Sequence, residues 1–584
     1  MSSKGNNDLL IYHNMFKIRG ENVNYNILIG GSAGQGIETV SAVFERIVKR
    51  QGFEVFTIKD YMSRVRGGHN FIQVRFGNEK VYSHRDEIDG IIAMNAEAIE
   101  NHIERLDAGG FIICDEDIDY EDDRILKLPL KQVAKASGNL KAIGSVAIGS
   151  VLELFGISQT GVEKVFEEFF NEEIASQNFN AVQRGRKLVE KRYDAVAGKE
   201  DGNILINGNE AVALGTLASG CKFYSAYPMT PSTSIMDYLA SKMNDAEIVV
   251  EQAEDEIAAI NMAVGASYAG ARAMTGTSGG GFSLMVEALG LSAMLEVPLV
   301  IAEVQRPGPT TGFPTRTEQS DLKFVISASQ GEFPRMVIAL RNAEDAFYQT
   351  VRAFNIADKY QVPVILLSDQ YLADSTTTLK PFDFDSINND TFISSYDYSD
   401  NIPYKRYQIT PSGISPRLIP GQNPGVTVLV DSDEHDESGH ITESADVRNQ
   451  MVAKRMRKLE LLKEELQEPL FIGEEDSDVL ILAWGSTWGP VNEAINKLNE
   501  DKVKKYGALV FGDIWPLPTK LLVEKAKKSK TIINVEQNAT GQLKSIVSEV
   551  TGIFCDYSIL KFDGRPMSSH YIYREVRRRE LEHV

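Results

Sequence analysis

Short β-branched runs alternate with longer helical stretches over most of this chain. The runs at 25–29 and 54–58 predict strands on either side of a helix. From residue 202 the same alternation returns, with strands predicted near 271–274 and 298–304. Strands that alternate with helices are typical of a parallel sheet covered by helices on its faces. The pattern therefore predicts an α/β protein.

The alternation is interrupted once, and this divides the chain into three α/β domains and a polar connection. The first domain is predicted over residues 1–200 and the second over 201–380. Residues 381–475 are the connection, because they begin without periodicity and end in a charged helix near 448–466. So long an excursion is typical of a segment that packs on a partner. The third α/β domain is predicted over 476–584.

Composition narrows the class of protein. Charged residues make up 24% of the chain and the formal net charge is −21, which is typical of a soluble globular protein and argues against a nucleic-acid partner. No apolar run has membrane-spanning length. The three cysteines, Cys114, Cys221 and Cys555, are far apart, so we expect neither disulfides nor a metal or iron–sulfur site in this chain. We expect the protein in a reducing cytoplasm.

A glycine-rich segment, GGSAGQG, follows the first predicted strand. Its glycines are Gly30, Gly31, Gly34 and Gly36. Backbone amides at such a turn and at the following helix N-terminus favour phosphate binding. The spacing is not that of a dinucleotide fingerprint and no P-loop lysine follows, so a tight turn alone is the alternative.

Two arginines, Arg64 and Arg66, occur in the sequence SRVRGGHNF. Arginine grips phosphate oxygens with two donors at once, so either residue could complete an anion site. The alternative is that both alternate on the exposed face of a strand.

Thr230 and Pro231 predict a helix N-cap followed by proline in the first helical position. Capping alone would explain both residues. The functional interpretation is that the Thr230 hydroxyl and the same helix N-terminus face a bound substrate.

Glu256 follows Glu254 and Asp255 and begins a helix of small and apolar residues. Acids in a first helical turn suit the helix dipole, which explains the two preceding residues. A carboxylate at Glu256 would be poorly hydrated and able to share a proton with a ring nitrogen. Thiamin diphosphate requires such a carboxyl group beside its aminopyrimidine ring.

Two further turns could complete a site. Ser278 and Gly279 lie in a glycine-rich turn after a strand, where bare backbone can approach a flat ring, although a plain strand-to-helix turn also uses glycine. Arg306 ends a strand, and the loop that follows contains the hydroxyl of Thr315. Such a group can hold the carboxylate of a 2-oxo acid. A salt bridge from Arg306 to a neighbouring helix is the alternative.

Taken together, these motifs resemble a known family. The segments YPMTPS (227–232), TSGGG (277–281) and QRPGPTTGFPTRTEQ (305–319), with Glu256, resemble the alpha subunit of 2-oxoacid:ferredoxin oxidoreductases. GGSAGQG and SRVRGGHNF are similar to the gamma domain of that family, here fused ahead of the alpha domains. The segments DEHDESGH (433–440) and KFDGRP (561–566) are similar to 2-oxoglutarate-type members.

The resemblance implies a Rossmann-like gamma domain, a pyrimidine-binding-type thiamin domain and a transketolase C-terminal-like domain. It also implies a smaller beta subunit that holds thiamin diphosphate with Mg²⁺ and a [4Fe-4S] cluster. The motifs for those groups do not occur in this chain. Gly512-Asp513 lacks the second glycine of a diphosphate site and is rejected.

Roles for individual residues follow from the resemblance. Glu256 should contact the aminopyrimidine, Thr230 should face the substrate and the thiazolium, and Arg306 and Thr315 should bind the substrate carboxylate. The glycine segment, with Arg64 or Arg66, would belong to the domain implicated in coenzyme A binding.

The expected function is coenzyme A-dependent oxidative decarboxylation of 2-oxoglutarate to succinyl-CoA with reduction of ferredoxin, or the reverse carboxylation. The expected assembly is a dimer of alpha–beta heterodimers. A pyruvate or branched-chain oxidoreductase shares every motif. A nicotinamide dehydrogenase and a non-catalytic assembly subunit are the remoter alternatives.

Overall fold

The computed structural model describes residues 24–64, 67–198, 202–395 and 403–582. The chain forms two compact units, Met1–Leu205 and Ile206–Val584. All three cysteines are buried and unbonded. The described part of the chain contains no helix long and apolar enough to cross a membrane, and no group of three or more metal-ligating side chains placed to hold an ion.

Unit 1 is built on a mixed sheet with helices against it. Its strands are β1 (Asn24–Ala33), β2 (Glu54–Asp60), β3 (Gly67–Gly77), β4 (Ile88–Ala93), β5 (Leu106–Asp115) and β6 (Ile125–Leu128). Its helices are α1 (Ile37–Arg50), α2 (Ala96–Glu100), α3 (Leu130–Ala136), α4 (Ile143–Leu154), α5 (Val162–Glu167) and α6 (Glu172–Arg186), with short 3-10 turns at Ile103–Arg105 and Leu140–Ala142.

The sheet of unit 1 has the strand order β6-β5-β4-β1-β3-β2. Strands β1, β4, β5 and β6 are parallel, whereas β3 is antiparallel to both β1 and β2. Phe44 and Val48 of α1 and Ile27 and Ile29 of β1 belong to one buried cluster. Strand β1 therefore lies in the middle of the sheet, and the turn that follows it reaches the sheet edge.

The glycine segment is divided between a strand and a turn, which corrects the prediction of a single loop. Gly30 and Gly31 belong to β1. A Cβ on Gly30 would come within 2.9 Å of Ala98, so that glycine is required by packing. Gly34 and Gly36 form the exposed turn before α1, with φ of 94° and 77°. Those positive φ angles favour glycine.

Unit 2 begins within β7 (Ile204–Asn207) and contains two sheets. The strands of the first part are β8 (Phe223–Ala226), β9 (Val249–Gln252), β10 (Ala273–Thr277), β11 (Leu299–Gln305), β12 (Met336–Ala339), β13 (Pro363–Asp369) and β14 (Thr376–Leu379). The helices are α7 (Gly208–Ala218), α8 (Thr233–Ser241), α9 (Met243–Ala246), α10 (Glu256–Tyr268), α11 (Gly279–Met294), α12 (Leu322–Ser327), α13 (Ala343–Tyr360) and α14 (Gln370–Asp374).

The C-terminal part begins with α15 (Ala445–Leu462). Its strands are β15 (Leu470–Gly473), β16 (Val479–Trp484), β17 (Tyr506–Phe511), β18 (Asp513–Trp515), β19 (Thr531–Glu536) and β20 (Tyr557–Leu560). Its other helices are α16 (Trp488–Asn499), α17 (Lys520–Lys528), α18 (Gln542–Thr551) and α19 (Ser569–Glu582), with a 3-10 turn at Gly485–Thr487. Another 3-10 turn, Phe384–Ser386, precedes α15.

The two sheets of unit 2 share one core. Their strand orders are β18-β12-β13-β11-β10-β8-β9 and β15-β17-β16-β19-β20. Ile301 and Leu367 of the first sheet belong to the same buried cluster as Leu482 and Phe511 of the second. Strand β18 leaves the second part and pairs antiparallel with β12. The predicted second and third domains are thus physically continuous.

The polar connection packs on its own chain. Arg417 donates to Asp358 at 3.2 Å, and Arg406 donates to the Glu296 carbonyl at 2.7 Å. Both arginines are buried. The charged helix begins at Ala445, three residues before the predicted start. The segment expected to pack on a partner therefore has a large internal contact of its own.

A buried charge cluster fixes α15 against the rest of unit 2. Glu296 follows the C-terminus of α11 and pairs with Lys454 at 2.5 Å and also with Lys458. Burial alone would raise the pKa of Glu296, but the charges of Lys458, Lys454 and Arg406 hold it far below its usual range. This cluster contains one carboxylate and two ammonium groups, all almost fully buried.

Candidate active site

The predicted site residues of unit 2 lie at one edge of its first sheet. Strands β11, β10, β8 and β9 are adjacent and parallel, so their carboxyl ends point the same way. Thr230 follows β8, Glu256 follows β9, Ser278 follows β10 and Arg306 follows β11. In open α/β sheets, ligands bind at the carboxyl ends of the strands.

Glu256 is the first residue of α10 and is only 4% exposed. Asp255 caps the helix by accepting a hydrogen bond from the Ala258 amide at 2.8 Å. Glu256 therefore has no capping role, and its Oε1 atom has no hydrogen-bond partner among the described residues. A buried carboxylate oxygen without a partner costs free energy unless a ligand supplies a donor.

The first turn of α11 lies against the Glu256 carboxyl group. A Cβ on Gly281 would lie 2.7 Å from Glu256 Oε1 and 2.2 Å from the Thr277 hydroxyl. A Cβ on Gly279 would lie 2.3 Å from Asp321. Glycine is therefore required at both positions for α11 to approach these side chains.

Ser278 is the N-cap of α11 and has an extended backbone. Its hydroxyl is buried and makes no hydrogen bond within the described part of the chain. Gly280 is exposed, and a Cβ there would contact only the Thr310 carbonyl oxygen, at 3.6 Å. The N-terminus of α11 thus presents a buried hydroxyl and glycine backbone close to Glu256.

Arg306 lies across the edge from this turn. Its Nη1 donates to the Thr230 carbonyl at 2.6 Å. Burial lowers the pKa of Arg306, but a guanidinium stays protonated in proteins. A half-buried cation of this kind can pair strongly with a carboxylate. The structure therefore connects Arg306 to the Thr230 turn. This contact is a hydrogen bond to a backbone carbonyl and not the predicted alternative, a salt bridge to a neighbouring helix.

The predicted cap at Thr230 is wrong in its position. Helix α8 begins at Thr233 and its N-cap is Ser232. Residues 230–232 form a turn before the helix, in which the Ser232 hydroxyl donates to the Met229 carbonyl at 2.8 Å. Pro231 is therefore not the first helical residue, and capping does not explain Thr230.

Thr315 is buried in the loop that follows Arg306. The end of this loop is fixed by the second sheet, because the Gln319 amide donates to the Gln537 carbonyl at 2.7 Å. Thr317 donates in the same way to Gly564, within the KFDGRP segment, at 3.3 Å. The loop that contains Thr315 is thus anchored, two and four residues after Thr315, to the C-terminal part of unit 2.

The anion site predicted in unit 1 is less complete. Gly34, Gly36 and Arg64 are exposed. Helix α1 begins directly after Gly36 and has no side-chain cap, so its first amides are available to a ligand. Arg66 lies outside the described residues.

Sequence reasoning missed Glu303. It lies in β11 at the position paired with Thr277, it is fully buried, and neither carboxyl oxygen has a hydrogen-bond partner among the described residues. Burial, with smaller contributions from Asp321 and Asp369, raises the pKa of Glu303 well above its usual value. The charged residue within the apolar run LVIAEVQ was the available signal.

Other carboxyl groups near this edge also hold protons unusually tightly. Burial raises the pKa of Asp321 to about 6 and that of Asp369 to about 6. Burial also raises the pKa of Glu318 to about 7. At about pH 6 and below, the edge therefore carries less negative charge than its composition indicates.

Replacing Glu303 by glutamine tests this protonation. Because the folded-state pKa of Glu303 is raised, its protonated form stabilises the fold at low pH, and that contribution is lost as pH rises above about 4.3, its unfolded value. Between the unfolded-state and folded-state pKa values of Glu303, the free energy of unfolding falls by about 1.4 kcal/mol per pH unit. The free energy of unfolding, measured by urea titration, should therefore fall less between roughly pH 5 and 8 in Glu303→Gln than in the wild type.

Glu251→Gln is the matched control, because Glu251 is exposed. It should leave the pH profile of stability unchanged. A Glu303→Gln profile identical to that of the wild type would contradict the assignment of a neutral carboxyl group to this strand.

Comparison with known proteins places this geometry in a class. Residues 214–454 match the family described as the thiamine-diphosphate-binding region of pyruvate flavodoxin/ferredoxin oxidoreductase. Residues 26–188 match the family described as pyruvate ferredoxin/flavodoxin oxidoreductase. The fold and site thus define an oxidoreductase of the thiamin-binding α/β class.

Full-length relatives identify the family more closely. The chain is 32% identical to a 2-oxoacid:ferredoxin oxidoreductase subunit alpha of Sulfolobus sp over 92% of this chain and 94% of that one. It is 35% identical to the 2-oxoglutarate synthase subunit KorA of Archaeoglobus fulgidus over 60% of this chain and 91% of that one. The chain belongs to the alpha subunits of the 2-oxoacid:ferredoxin oxidoreductase family.

A solved structure agrees with the fold. The 2-oxoglutarate:ferredoxin oxidoreductase of Magnetococcus marinus, solved with 2-oxoglutarate, coenzyme A and succinyl-CoA bound, superposes with a TM-score of 0.89. Sequence identity is 33%, and the match covers 95% of this chain and 99% of that one. The α/β architecture and the family resemblance predicted from the sequence are confirmed.

Proposed function

We propose that this chain is the large subunit of an enzyme that converts 2-oxoglutarate and coenzyme A to succinyl-CoA and carbon dioxide. An electron pair released in that oxidation passes to ferredoxin, and the reaction can also run as a reductive carboxylation. The observation that carries the proposal is Glu256, a buried acid with an unpartnered oxygen beside bare backbone at the sheet edge.

The residues present fit thiamin diphosphate. When bound, thiamin supplies an electron sink for decarboxylation of a 2-oxo acid. Glu256 would hold a proton at the aminopyrimidine nitrogen, Ser278 would offer its hydroxyl, and Gly279 would leave room for the ring. These roles agree with the unpartnered Glu256 and Ser278 oxygens and with the close approach of α11.

Three other residues would hold the substrate. Arg306 would bind the carboxylate next to the keto group with two guanidinium donors. Thr315, in the loop after Arg306, would donate a hydroxyl to the same carboxylate. Thr230 would orient the keto carbon, since its turn is bound to Arg306 through the Thr230 carbonyl.

A second polypeptide would complete the site. Helices α10 and α11 expose apolar side chains that include Ile257, Met262 and Leu284, of which Ile257 and Leu284 are each 51% exposed. Apolar side chains grouped beside a site are typical of a covered interface. A smaller beta subunit would cover them and would carry thiamin diphosphate, Mg²⁺ and a [4Fe-4S] cluster. We propose a dimer of such heterodimers in the cytoplasm.

Coenzyme A would bind through unit 1. Its phosphates suit the free amides at the start of α1, with Gly34 and Gly36 exposed in the turn and Arg64 exposed in the segment before β3. The Magnetococcus marinus enzyme, 33% identical to this chain, was solved with coenzyme A bound.

A direct assay of the assembled enzyme tests the choice of substrate. The KorA relative and the Magnetococcus enzyme both carry 2-oxoglutarate in their descriptions, which supports that substrate. The chain should be co-purified with its smaller partner and assayed for viologen reduction with 2-oxoglutarate, pyruvate and 2-oxoisovalerate. We expect reduction that requires coenzyme A and is fastest with 2-oxoglutarate. Preference for another acid would replace the substrate while leaving the class of reaction intact.

Arg306→Ala separates a catalytic subunit from an assembly subunit. Loss of a charge-assisted bidentate contact costs about 1.5–3 kcal/mol, so the KM for the 2-oxoacid should rise roughly ten- to a hundredfold. Arg306→Lys keeps the positive charge but not the paired donors of the guanidinium, so its KM should lie between those of the wild type and Arg306→Ala. Size-exclusion profiles of the complex should not change. Altered assembly with an unchanged KM would favour the non-catalytic alternative.

A further inference from the structure

Two buried histidines are in direct contact in unit 1, away from the residues considered so far. His69 Nε2 and His102 Nε2 are 2.8 Å apart, and both side chains are buried. Arg105 Nη1 lies 3.1 Å from His102 Nδ1. Three side chains from two separate segments thus form one continuous hydrogen-bonded chain.

Donor and acceptor rules fix the direction of this chain. A guanidinium only donates, so His102 Nδ1 accepts from Arg105. The proton of neutral His102 is therefore on Nε2, which donates to His69 Nε2. His69 then carries its own proton on Nδ1, and a single tautomer of each ring satisfies the geometry.

Arg105 is itself held in place, so the direction cannot easily reverse. Its Nε donates to the Asp86 carbonyl at 2.9 Å and its Nη2 donates to Gln73 Oε1 at 2.5 Å. With the guanidinium fixed on three acceptors, His102 is fixed in turn. Any group at position 102 must accept from Arg105 and donate to His69.

His69 lies beside the glycine turn, one of the two segments of unit 1 proposed above to bind coenzyme A. It pairs with Ser32 across β3 and β1, immediately before the turn that contains Gly34 and Gly36. The His69 ring also packs beneath β1, since a Cβ on Gly30 would lie 3.5 Å from its Cε1 atom. The ring is therefore part of the platform from which the glycine turn projects.

The same platform holds the segment that contains Arg64. Asn70, the residue after His69, accepts a hydrogen bond from the Met62 amide at 2.8 Å. Gly68, the residue before it, has a φ of 74°, and a Cβ there would lie 2.6 Å from the Met62 sulfur. The residues on both sides of His69 are thus close to Met62, which lies two residues before Arg64.

We propose that His69 and His102 are positioning residues for coenzyme A, which act by holding the glycine turn and the Arg64 segment in their binding arrangement. This inference rests on the proposed assignment of coenzyme A to unit 1. Glu256, Thr230 and Arg306 belong to the other unit. Decarboxylation, which precedes the entry of coenzyme A, should therefore not depend on His69 or His102 and serves as an internal control.

Two substitutions at position 102 test the proposal in the co-purified complex. His102→Gln keeps an acceptor for Arg105 and a donor for His69, whereas His102→Leu removes both at similar size. Ser150→Ala is the control for general destabilisation. The Ser150 hydroxyl, on α4, donates a buried hydrogen bond to the Gly185 carbonyl at 3.0 Å, and alanine removes it. Coenzyme A binding is measured by titration calorimetry, and carbon dioxide release is measured in a single turnover without coenzyme A.

We expect His102→Leu to raise the Kd and the KM for coenzyme A about tenfold, a change equivalent to 1.4 kcal/mol. His102→Gln should stay within about twofold of the wild type, the range expected for a retained hydrogen bond. Ser150→Ala should leave the Kd unchanged. Single-turnover carbon dioxide release should be the same in every variant.

Several outcomes would overturn the proposal. One is an unchanged Kd in folded His102→Leu, and another is an equal loss in the step without coenzyme A. If His102→Leu does not fold, Arg105→Lys decides, because lysine keeps the charge but cannot hold the same three acceptors; an unchanged Kd there also overturns the proposal. Failure of the proposed function is distinct, since wild-type complex would then release no carbon dioxide from any 2-oxoacid.

Discussion

Replacing Glu256 by alanine should reduce 2-oxoacid-dependent viologen reduction by a factor on the order of 10²–10⁴, the usual contribution of a positioned proton-transfer group. Glu256→Gln should be nearly as damaging, because an amide keeps the shape but cannot take up a proton. The side chain is buried and its Oε1 has no described partner, so its removal leaves no cation unpaired. We therefore expect folding and assembly with the smaller subunit to be retained.

Glu254→Ala is the matched control for this prediction. Glu254 is an exposed acid two residues earlier in the same segment. Its removal should leave turnover within about twofold of the wild type, as for most exposed substitutions. Full activity in Glu256→Ala, with assembly confirmed by size-exclusion chromatography, would refute the catalytic role of Glu256.

Replacing Glu296 should have the largest effect on stability. Glu296→Gln leaves Lys454 and Lys458 buried without a counter-charge. Breaking a buried ion pair by removal of one partner costs about 3–5 kcal/mol. The free energy of unfolding, measured by urea titration at pH 7, should fall by that amount, and the C-terminal half should be lost first in proteolysis, because α15 is held by this cluster.

Two further variants separate the ion pairs from simple loss of packing. Glu287→Gln, at an exposed position of α11, should have almost no effect on stability. The triple variant Glu296→Leu, Lys454→Met, Lys458→Met replaces the whole cluster with apolar side chains. Such replacements are often neutral or stabilising. A triple variant as unstable as Glu296→Gln would show that the charges themselves are needed.

The sequence was sufficient for the features that depend on local pattern. Alternating strands and helices predict parallel strands, and the parallel strands β9, β10 and β11 bring the turns that contain Glu256, Ser278 and Arg306 to one edge. The small, apolar residues after Glu256 predict its poor hydration, because a helix with apolar residues on every side must be covered. The roles of these residues stay predictions until the variants are measured.

Features that depend on distant partners were beyond reach of the sequence. Strand β18 joins a sheet whose other strands end some 140 residues earlier, and only its pairing with β12 shows this. Glu296 meets Lys454 across 158 residues of chain. The glycine segment was predicted as a turn after the strand, but pairing with β3 extends β1 through Ala33, so only Gly34 and Gly36 lie in the turn.

The central claim is that Glu256 activates thiamin held by another polypeptide. The most direct test is the rate of hydrogen–deuterium exchange at the thiazolium carbon in the assembled complex, measured by NMR after acid quench. Exchange should be slower by a factor on the order of 10²–10⁴ in Glu256→Ala than in the wild type and in Glu254→Ala. Equal exchange rates in all three proteins would contradict the account.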